Sequence, residues 1–370
     1  MTFYISWILW FVLALILVSA IQFFLRKKNI KTAVRFVLIA IKAILGIVFA
    51  VLVLAGPVVF RPAQPLMIAL YAVLLPDALA DLIYTVFCLV KKKEHSFKTE
   101  KIIGLALGIL FFVYGTVNMQ VVKPYYHTFT SDLLQSEHKI VFVSDIHVGS
   151  VQPFSVISKE ISDIKKENPE CIILGGDITD DYTTREETEE IYRLFGSCGI
   201  PVYYLHGNHD RQKHAQYANG RQYTAEELEG ILSENGITVL KDDYVLLDDE
   251  IMLLGREDIS ESEKRVNASA LSEKNPDKSR YLIVADHQPF EFEDNCAAGA
   301  NLQLSGHTHA GQLFPLKALY SVIGYCHGEF NYKNSAMVVS SGAGGWRVPF
   351  RTDSHCYYEV ISLKPETPGN

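Results

Sequence analysis

No Cys-x-x-Cys pair occurs in this 370-residue chain, so a cysteine-ligated zinc site is not expected. Cys88 lies within an apolar run, and the other five cysteines (Cys171, Cys198, Cys296, Cys326 and Cys356) are an odd number for a disulfide framework. Most are expected to be reduced and buried. Basic clustering is also missing from most of the chain. Up to Val122 there are 12 Lys and Arg against 4 Asp and Glu; after it there are 22 against 38. An acidic surface does not suit a phosphodiester backbone, so no nucleic-acid partner is expected. The first apolar run also lacks a preceding positive charge. Arg26, Lys27 and Lys28 follow it instead, the reverse of a cleaved signal peptide.

What the first third contains is four long apolar runs, near residues 4–25, 33–55, 66–90 and 102–122. Each has about the twenty residues needed to cross roughly 30 Å of hydrocarbon. The expected organisation is a transmembrane region of four helices over residues 1–122 and a second domain over 123–370. The first connection carries Arg26, Lys27, Lys28 and Lys31, the third carries Lys91, Lys92, Lys93, Lys98 and Lys101, and the second only Arg61. Positive-inside logic places the first and third connections in the cytoplasm. A multi-pass protein of the cell membrane, with its second domain on the extracytoplasmic side, is therefore expected. Lys42, Asp77 and Asp81 fall inside the runs. At 1.5 Å per residue, Lys42 is about 16 Å from Lys31 and Asp81 about 15 Å from Lys91, which predicts a Lys42–Asp81 ion pair. Such a pair would hold helices together or line a polar cavity for a headgroup or ion. Pro76 is expected to kink the third span.

The second domain is organised around Cys171-Ile172-Ile173-Leu174-Gly175-Gly176-Asp177. A buried strand runs into two glycines and then a carboxylate, placing Asp177 at a sheet edge. The same plan recurs. The run 139–143 leads to Asp145-Ile146-His147, whose alternate side chains can face one ion. The run 201–205 leads to His206-Gly207-Asn208-His209-Asp210, where Asp210 could orient the His209 imidazole. The run 281–285 leads to His287, and 301–304 leads to Gly306-His307-Thr308-His309. Asp145 to Asp177 is 32 residues and Asp177 to Asn208 is 31, each one βα repeat, so these turns line one sheet edge. The candidate ligands are Asp145, His147, Asp177, Asn208, His287, His307 and His309. This oxygen and imidazole set suits first-row divalent ions, exceeds what one tetrahedral ion needs, and includes a carboxylate able to bridge two.

The ordered blocks Asp145-x-His147, Gly176-Asp177-x-x-Asp180, Gly207-Asn208-His209-Asp210, His287 and Gly306-His307-x-His309 resemble the calcineurin-like metallophosphoesterases. The resemblance covers residues 125 to about 363. The tail from Ser340 to Trp346, with Arg347 and Arg351, looks like the membrane-associated bacterial phosphodiesterase branch, some of which cleave nucleotide-activated lipid A precursors; Ala310 stands where that branch usually has glycine. The resemblance implies an α/β fold, a four-layer αββα sandwich. It implies two divalent ions (Mn, Zn or Fe), one held by Asp145, His147, Asp177 and His309, the other by Asp177, Asn208, His287 and His307. His209 would be the proton donor to the leaving group, with Asp210 behind it. Arg256, Arg347 and Arg351 are candidate phosphate or fold contacts, and Trp346 and Phe350 either flank the site, meet the membrane or pack in the core. The expected function is hydrolysis of a phosphodiester, phosphomonoester or pyrophosphate bond in a lipid-linked or envelope substrate, beside membrane lipids. The alternative is a membrane receptor or transport accessory that binds such ligands without turnover.

Overall fold

A computed structural model describes residues 2–26, 32–56, 58–218, 220–261, 263–274 and 277–366. Lys27, Lys28 and Lys31, used above for orientation, lie outside the described residues. The chain divides into two units, Met1–Asn118 with Leu313–Leu316, and Met119–Gln312 with Lys317–Asn370.

The first unit is helical: α1 (Thr2–Arg26), α2 (Thr32–Ala55), α3 (Gln64–Lys91) and α4 (Phe97–Met119). Among the described residues, three segments, Thr32–Ala55, Arg61–Lys91 and Lys98–Met119, are long and apolar enough to cross a membrane; in α1 the described apolar stretch Trp7–Ile21 is shorter. α3 continues as one helix through Pro76 and ends at Lys92 in the left-handed region. Lys42 meets Asp81 as expected, but the pair is half of a larger cluster. Lys42 Nζ lies 2.6 Å from Asp77, and Lys101 Nζ lies 3.2 Å from Asp77 and 3.0 Å from Asp81. Gly104 makes room for it, since a Cβ there would fall 2.4 Å from Asp77 Oδ1. Two lysines on two aspartates leave no net charge, whereas removing one partner strands a charge, at a cost of about 3–5 kcal/mol. Asp81→Asn is therefore expected to lower the unfolding temperature in detergent. Adding Lys42→Met should recover much of the loss, because Lys101 and Asp77 remain paired.

The second unit holds two six-stranded sheets, with strands numbered in chain order. The first runs β1 (Val122–Ser131), β12 (Cys356–Pro365), β2 (His138–Val143), β3 (Cys171–Leu174), β4 (Val202–Tyr204), β5 (Thr238–Val239). The second runs β10 (Gly328–Tyr332), β11 (Ser335–Val339), β9 (Leu302–Ser305), β8 (Tyr281–Ala285), β7 (Ile251–Gly255), β6 (Asp243–Leu246). Alternation along β2 divides its side chains between two cores. Val141 and Val143 pack under α5 (Phe154–Glu167), α6 (Arg185–Gly196) and α7 (Ala225–Glu234), through Ile161, Ile191 and Leu228. Ile140 and Phe142 face the second sheet, against Leu253, Ile283 and Leu304. The far side of that sheet is covered by Leu271 of α8 (Ala268–Lys274) and Phe292 of α9 (Phe292–Ala297). This is the expected four-layer αββα sandwich. α6 and α7 start at capping boxes, Thr184 with Glu187 and Thr224 with Glu227, which satisfy otherwise orphaned first-turn amides.

β2, β3 and β4 pair in parallel, as do β7, β8, β9 and β11, so their carboxyl ends share one edge. α4 stops at Met119, short of the expected end near Val122, because Val122 already pairs with Cys356 in the sheet. β12 inserts between β1 and β2, parallel to the first and antiparallel to the second. All six cysteines are free, and five are buried.

His127 of β1 is buried between Glu359, whose Oε2 lies 2.9 Å from Nε2, and Glu329 at Nδ1. Burial alone would lower its pKa, but the two carboxylates win and raise it. The imidazolium therefore contributes stability in full below the unfolded value of about 6.5, and that contribution fades as pH rises through the higher folded value. Wild type is expected to lose more unfolding temperature between neutral and mildly alkaline pH than His127→Gln. Parallel pH profiles for the two proteins would exclude this.

Candidate active site

Each candidate ligand sits just past the carboxyl end of a parallel strand: Asp145 and His147 after β2, Asp177 after β3, Asn208 after β4, His287 after β8, His307 and His309 after β9. Five of them hold left-handed backbone: Asp145 (φ 56°), His147 (49°), Asp177 (51°), His307 (70°) and His309 (50°). Non-glycine residues are rarely held there, and such strain collects at functional sites. The turns are tied together by backbone bonds, Asp145 N–H to Gly176 O (2.9 Å), His147 N–H to Asp177 O (3.1 Å) and Gly306 N–H to His287 O (2.8 Å). Gly176 (φ 86°) is required twice over, since a Cβ there would lie 2.6 Å from Gly207 N and 2.8 Å from His287 Nδ1.

The side chains form two donor groups, Asp145 with His147 and His309, and Asp177 with His287 and His307, the ligand atoms of each within 4.8 Å of one another. Asp177 Oδ2 faces both, 3.8 Å from His147 Nε2 and 3.3 Å from His287 Nε2. Asn208 Oδ1 lies 3.2 Å from the same His287 nitrogen. Gly175 O can only accept, so His287 Nδ1 at 2.8 Å carries the proton, which leaves Nε2 as the atom that would bind an ion lying between it, Asp177 and Asn208. His147 Nε2 and His309 Nδ1 are buried without hydrogen-bond partners. Native proteins rarely leave such atoms unsatisfied. The electrostatics agree. Burial pushes the Asp145 carboxyl up. Burial would do the same to Asp177, but the neighbouring His287, His209 and His147 hold it well below the usual range. Burial and His287 push His307 down to about 4, and burial with His147 and Arg351 holds His309 well below its ordinary value. The acids move His147 and His287 the other way, upward against burial. Clustered imidazoles beside acids, with no thiolate, fit a pair of first-row divalent ions such as Mn, Zn or Fe.

His209 stands beside this set. Its amide donates to Asp177 Oδ1 (2.8 Å), its Nδ1 lies 3.1 Å from Asp181 Oδ2, and its ring lies 4.2 Å from the Trp346 ring. The expected support from Asp210 is corrected here. Asp210 points inward and accepts the amides of Asp177 (2.7 Å), Gly207 (2.7 Å) and Thr179 (3.0 Å), so it scaffolds the turns while Asp181 grips His209. Sequence proximity misled because Asp210 follows His209 directly, and neighbouring residues in a turn seldom face the same way. Asp181→Asn is expected to slow turnover of substrates with poor leaving groups about 10–100-fold, with metal content unchanged. A fall in metal content would assign Asp181 to the ion site instead.

Two of the three arginines are fold contacts. Arg256 is buried on Asp242 (2.9 Å) and Asn295 (2.6 Å). Arg351 is fully buried and donates to the carbonyls of His309 (3.1 Å), Ser341 (3.0 Å) and Gly344 (2.6 Å), fixing a ligand to the C-terminal loop. Arg347 lies 5.2 Å over Trp346. Trp346 flanks the site, 5.2 Å from His147, and Phe350 is in the core. Asp180 Oδ2, 3.5 Å behind His147 Nδ1, and Gln312, which bonds Trp346 N (2.7 Å) and the Phe350 carbonyl (3.1 Å), complete the surroundings. The sequence signal for Asp180 and Asp181 was their place directly behind the Asp177 turn.

The profile of the calcineurin-like phosphoesterase family matches residues 138–311. The chain carries a calcineurin-like metallophosphoesterase domain. An uncharacterized metallophosphoesterase of Helicobacter pylori strain J99 is 28% identical over 242 residues, 64% of this chain and 62% of that protein. The metallophosphoesterase Cj0846 of Campylobacter jejuni is 25% identical over 296 residues, 77% of this chain and 76% of its own. A zebrafish (Danio rerio) transmembrane protein with a metallophosphoesterase domain is 28% identical over 61% of this chain and 53% of its own. The chain thus matches rather less than two thirds of the length of the Helicobacter relative. A dimetal phosphatase from Danio rerio is similar in structure at a TM-score of 0.38 and 10% identity, over 55% of this chain and 87% of its own, too low to add to the assignment.

Proposed function

We propose that this protein is a membrane-anchored phosphoesterase that depends on two divalent ions. It hydrolyses a phosphodiester, phosphomonoester or pyrophosphate bond, preferentially in a lipid-linked or envelope substrate. The observation that carries this reading is Asp177, one carboxylate facing two imidazole-rich donor groups, with His209 held against it by Asp181. Asp145, His147, Asp177 and His309 would hold one ion, and Asp177, Asn208, His287 and His307 the other. When bound, the pair supplies positive charge against the phosphoryl oxygens and makes water a nucleophile near neutral pH.

The chain's own residues do the rest. Asp181 keeps the proton on His209 Nδ1 and fixes the ring, so that Nε2 can give its proton to the departing oxygen. Trp346 packs against the His209 ring and shields it from water. The left-handed turns hold the donors in place before substrate arrives, so little reorganisation accompanies the reaction. The bacterial metallophosphoesterase relatives and the zebrafish transmembrane relative support a membrane-associated bacterial branch, and the lysines between α3 and α4 support a catalytic domain outside the cytoplasm.

The test is turnover of bis(p-nitrophenyl) phosphate by purified protein with added manganese. Wild type is expected to release p-nitrophenol in a metal-dependent way. Absence of turnover would favour the receptor or transport-accessory reading.

A further inference from the structure

We propose that the short helix α10 (Leu316–Ile323) is an interfacial element whose apolar face enters a lipid bilayer beside the catalytic rim. Leu319, Val322 and Ile323 are 51, 82 and 78% exposed. Residues three and four apart share a helix face, so these three make one continuous patch. The helix is anchored at its N-terminal end, with Leu316 fully buried and the Lys317 amide donating to Asp353 at 2.5 Å. A fixed helix presenting Leu, Val and Ile outward marks an interaction site.

Chain continuity identifies the occupant. Leu313–Leu316, the residues leading into α10, belong to the unit of apolar helices. There Tyr71 Oη of α3 donates to the Phe314 carbonyl at 2.9 Å. Tyr71 lies seven residues into α3, about 10 Å along its axis, which is the depth of a membrane interface rather than of bulk water. The helix continuing from that point starts at the bilayer surface. A second copy of the chain is a poorer occupant, because three side chains fall far short of the roughly 800 Å² per partner of a stable interface.

The consequence concerns substrate. Leu316 is only seven positions along the chain from the ligand His309, a span of at most about 25 Å. A phosphoester carried on a lipid would meet the donor set without leaving its membrane. This step rests on the hydrolase reading above, whereas insertion of α10 does not.

The experiment uses the full chain in phosphatidylcholine–phosphatidylglycerol vesicles. A spin label at Val322→Cys is expected to be accessible to oxygen and shielded from a water-soluble nickel complex, and a label at Lys159→Cys the reverse. Equal nickel access at both sites would overturn insertion. Shielding from both probes at 322 would overturn it too, in favour of a protein partner. Leu319→Ser, Val322→Ser and Ile323→Ser together are expected to cut turnover of a long-chain nitrophenyl phosphodiester embedded in vesicles by about tenfold or more, with soluble bis(p-nitrophenyl) phosphate within about twofold of wild type. Equal turnover of both substrates would overturn the substrate-delivery role. Wild type that turns over neither would sink the hydrolase reading and leave the spin-label result standing.

Discussion

Asp177→Asn is expected to reduce turnover of bis(p-nitrophenyl) phosphate to the buffer background and to prevent two ions from being held together. The reason is in the geometry. One oxygen of Asp177 faces imidazoles of both donor groups, at 3.8 and 3.3 Å, while the other accepts the His209 amide at 2.8 Å. An amide has a single oxygen, which cannot bridge and accept together, and its NH2 would present hydrogens to the ion sites. Loss of an outer-shell partner costs about 10–100-fold in affinity or activity, and a bridging ligand should cost more. Volume is unchanged, so the variant is expected to fold, with an unfolding temperature close to that of metal-free wild type. Turnover within tenfold of wild type would show that Asp177 is not shared.

His209→Ala is expected to separate metal binding from catalysis. It should retain metal, because His209 reaches the site with its amide and places its ring against Trp346 and Asp181. Its loss should follow the leaving group. General acid catalysis is worth about 10²–10⁴-fold, and the full amount is needed only where the departing oxygen is a poor leaving group. An alkyl phosphodiester should therefore suffer the full loss, while p-nitrophenolate, which departs readily unprotonated, should suffer far less. Equal loss on both substrates together with loss of metal would make His209 a ligand.

Much of this was legible in the chain because the site is written in local units. Each strand-then-turn block carries its own short apolar run and its donors, most with a glycine beside them, and parallel pairing brings the turns to one edge. The membrane helices were legible from length and apolarity alone. What the sequence left obscure depends on distant contacts. β12 inserts between β1 and β2 although more than two hundred residues separate it from either, and nothing local in residues 356–365 specifies that place. Asp181 and Asp210 each lie a few residues past a candidate ligand at a strand end. Only the folded turns show that one grips an imidazole and the other gathers amides. The Lys42–Asp81 pair was visible from depth, but the arrival of Lys101 depended on Gly104, whose role appears only where α4 crosses Asp77.

The most direct measurement is electron paramagnetic resonance of the purified protein loaded with manganese. Two ions sharing Asp177 should give an exchange-coupled dimanganese signal at two ions per chain, and that signal should be absent from Asp177→Asn. A spectrum of isolated mononuclear manganese in wild-type protein holding two ions per chain would contradict a shared carboxylate at the centre of this fold.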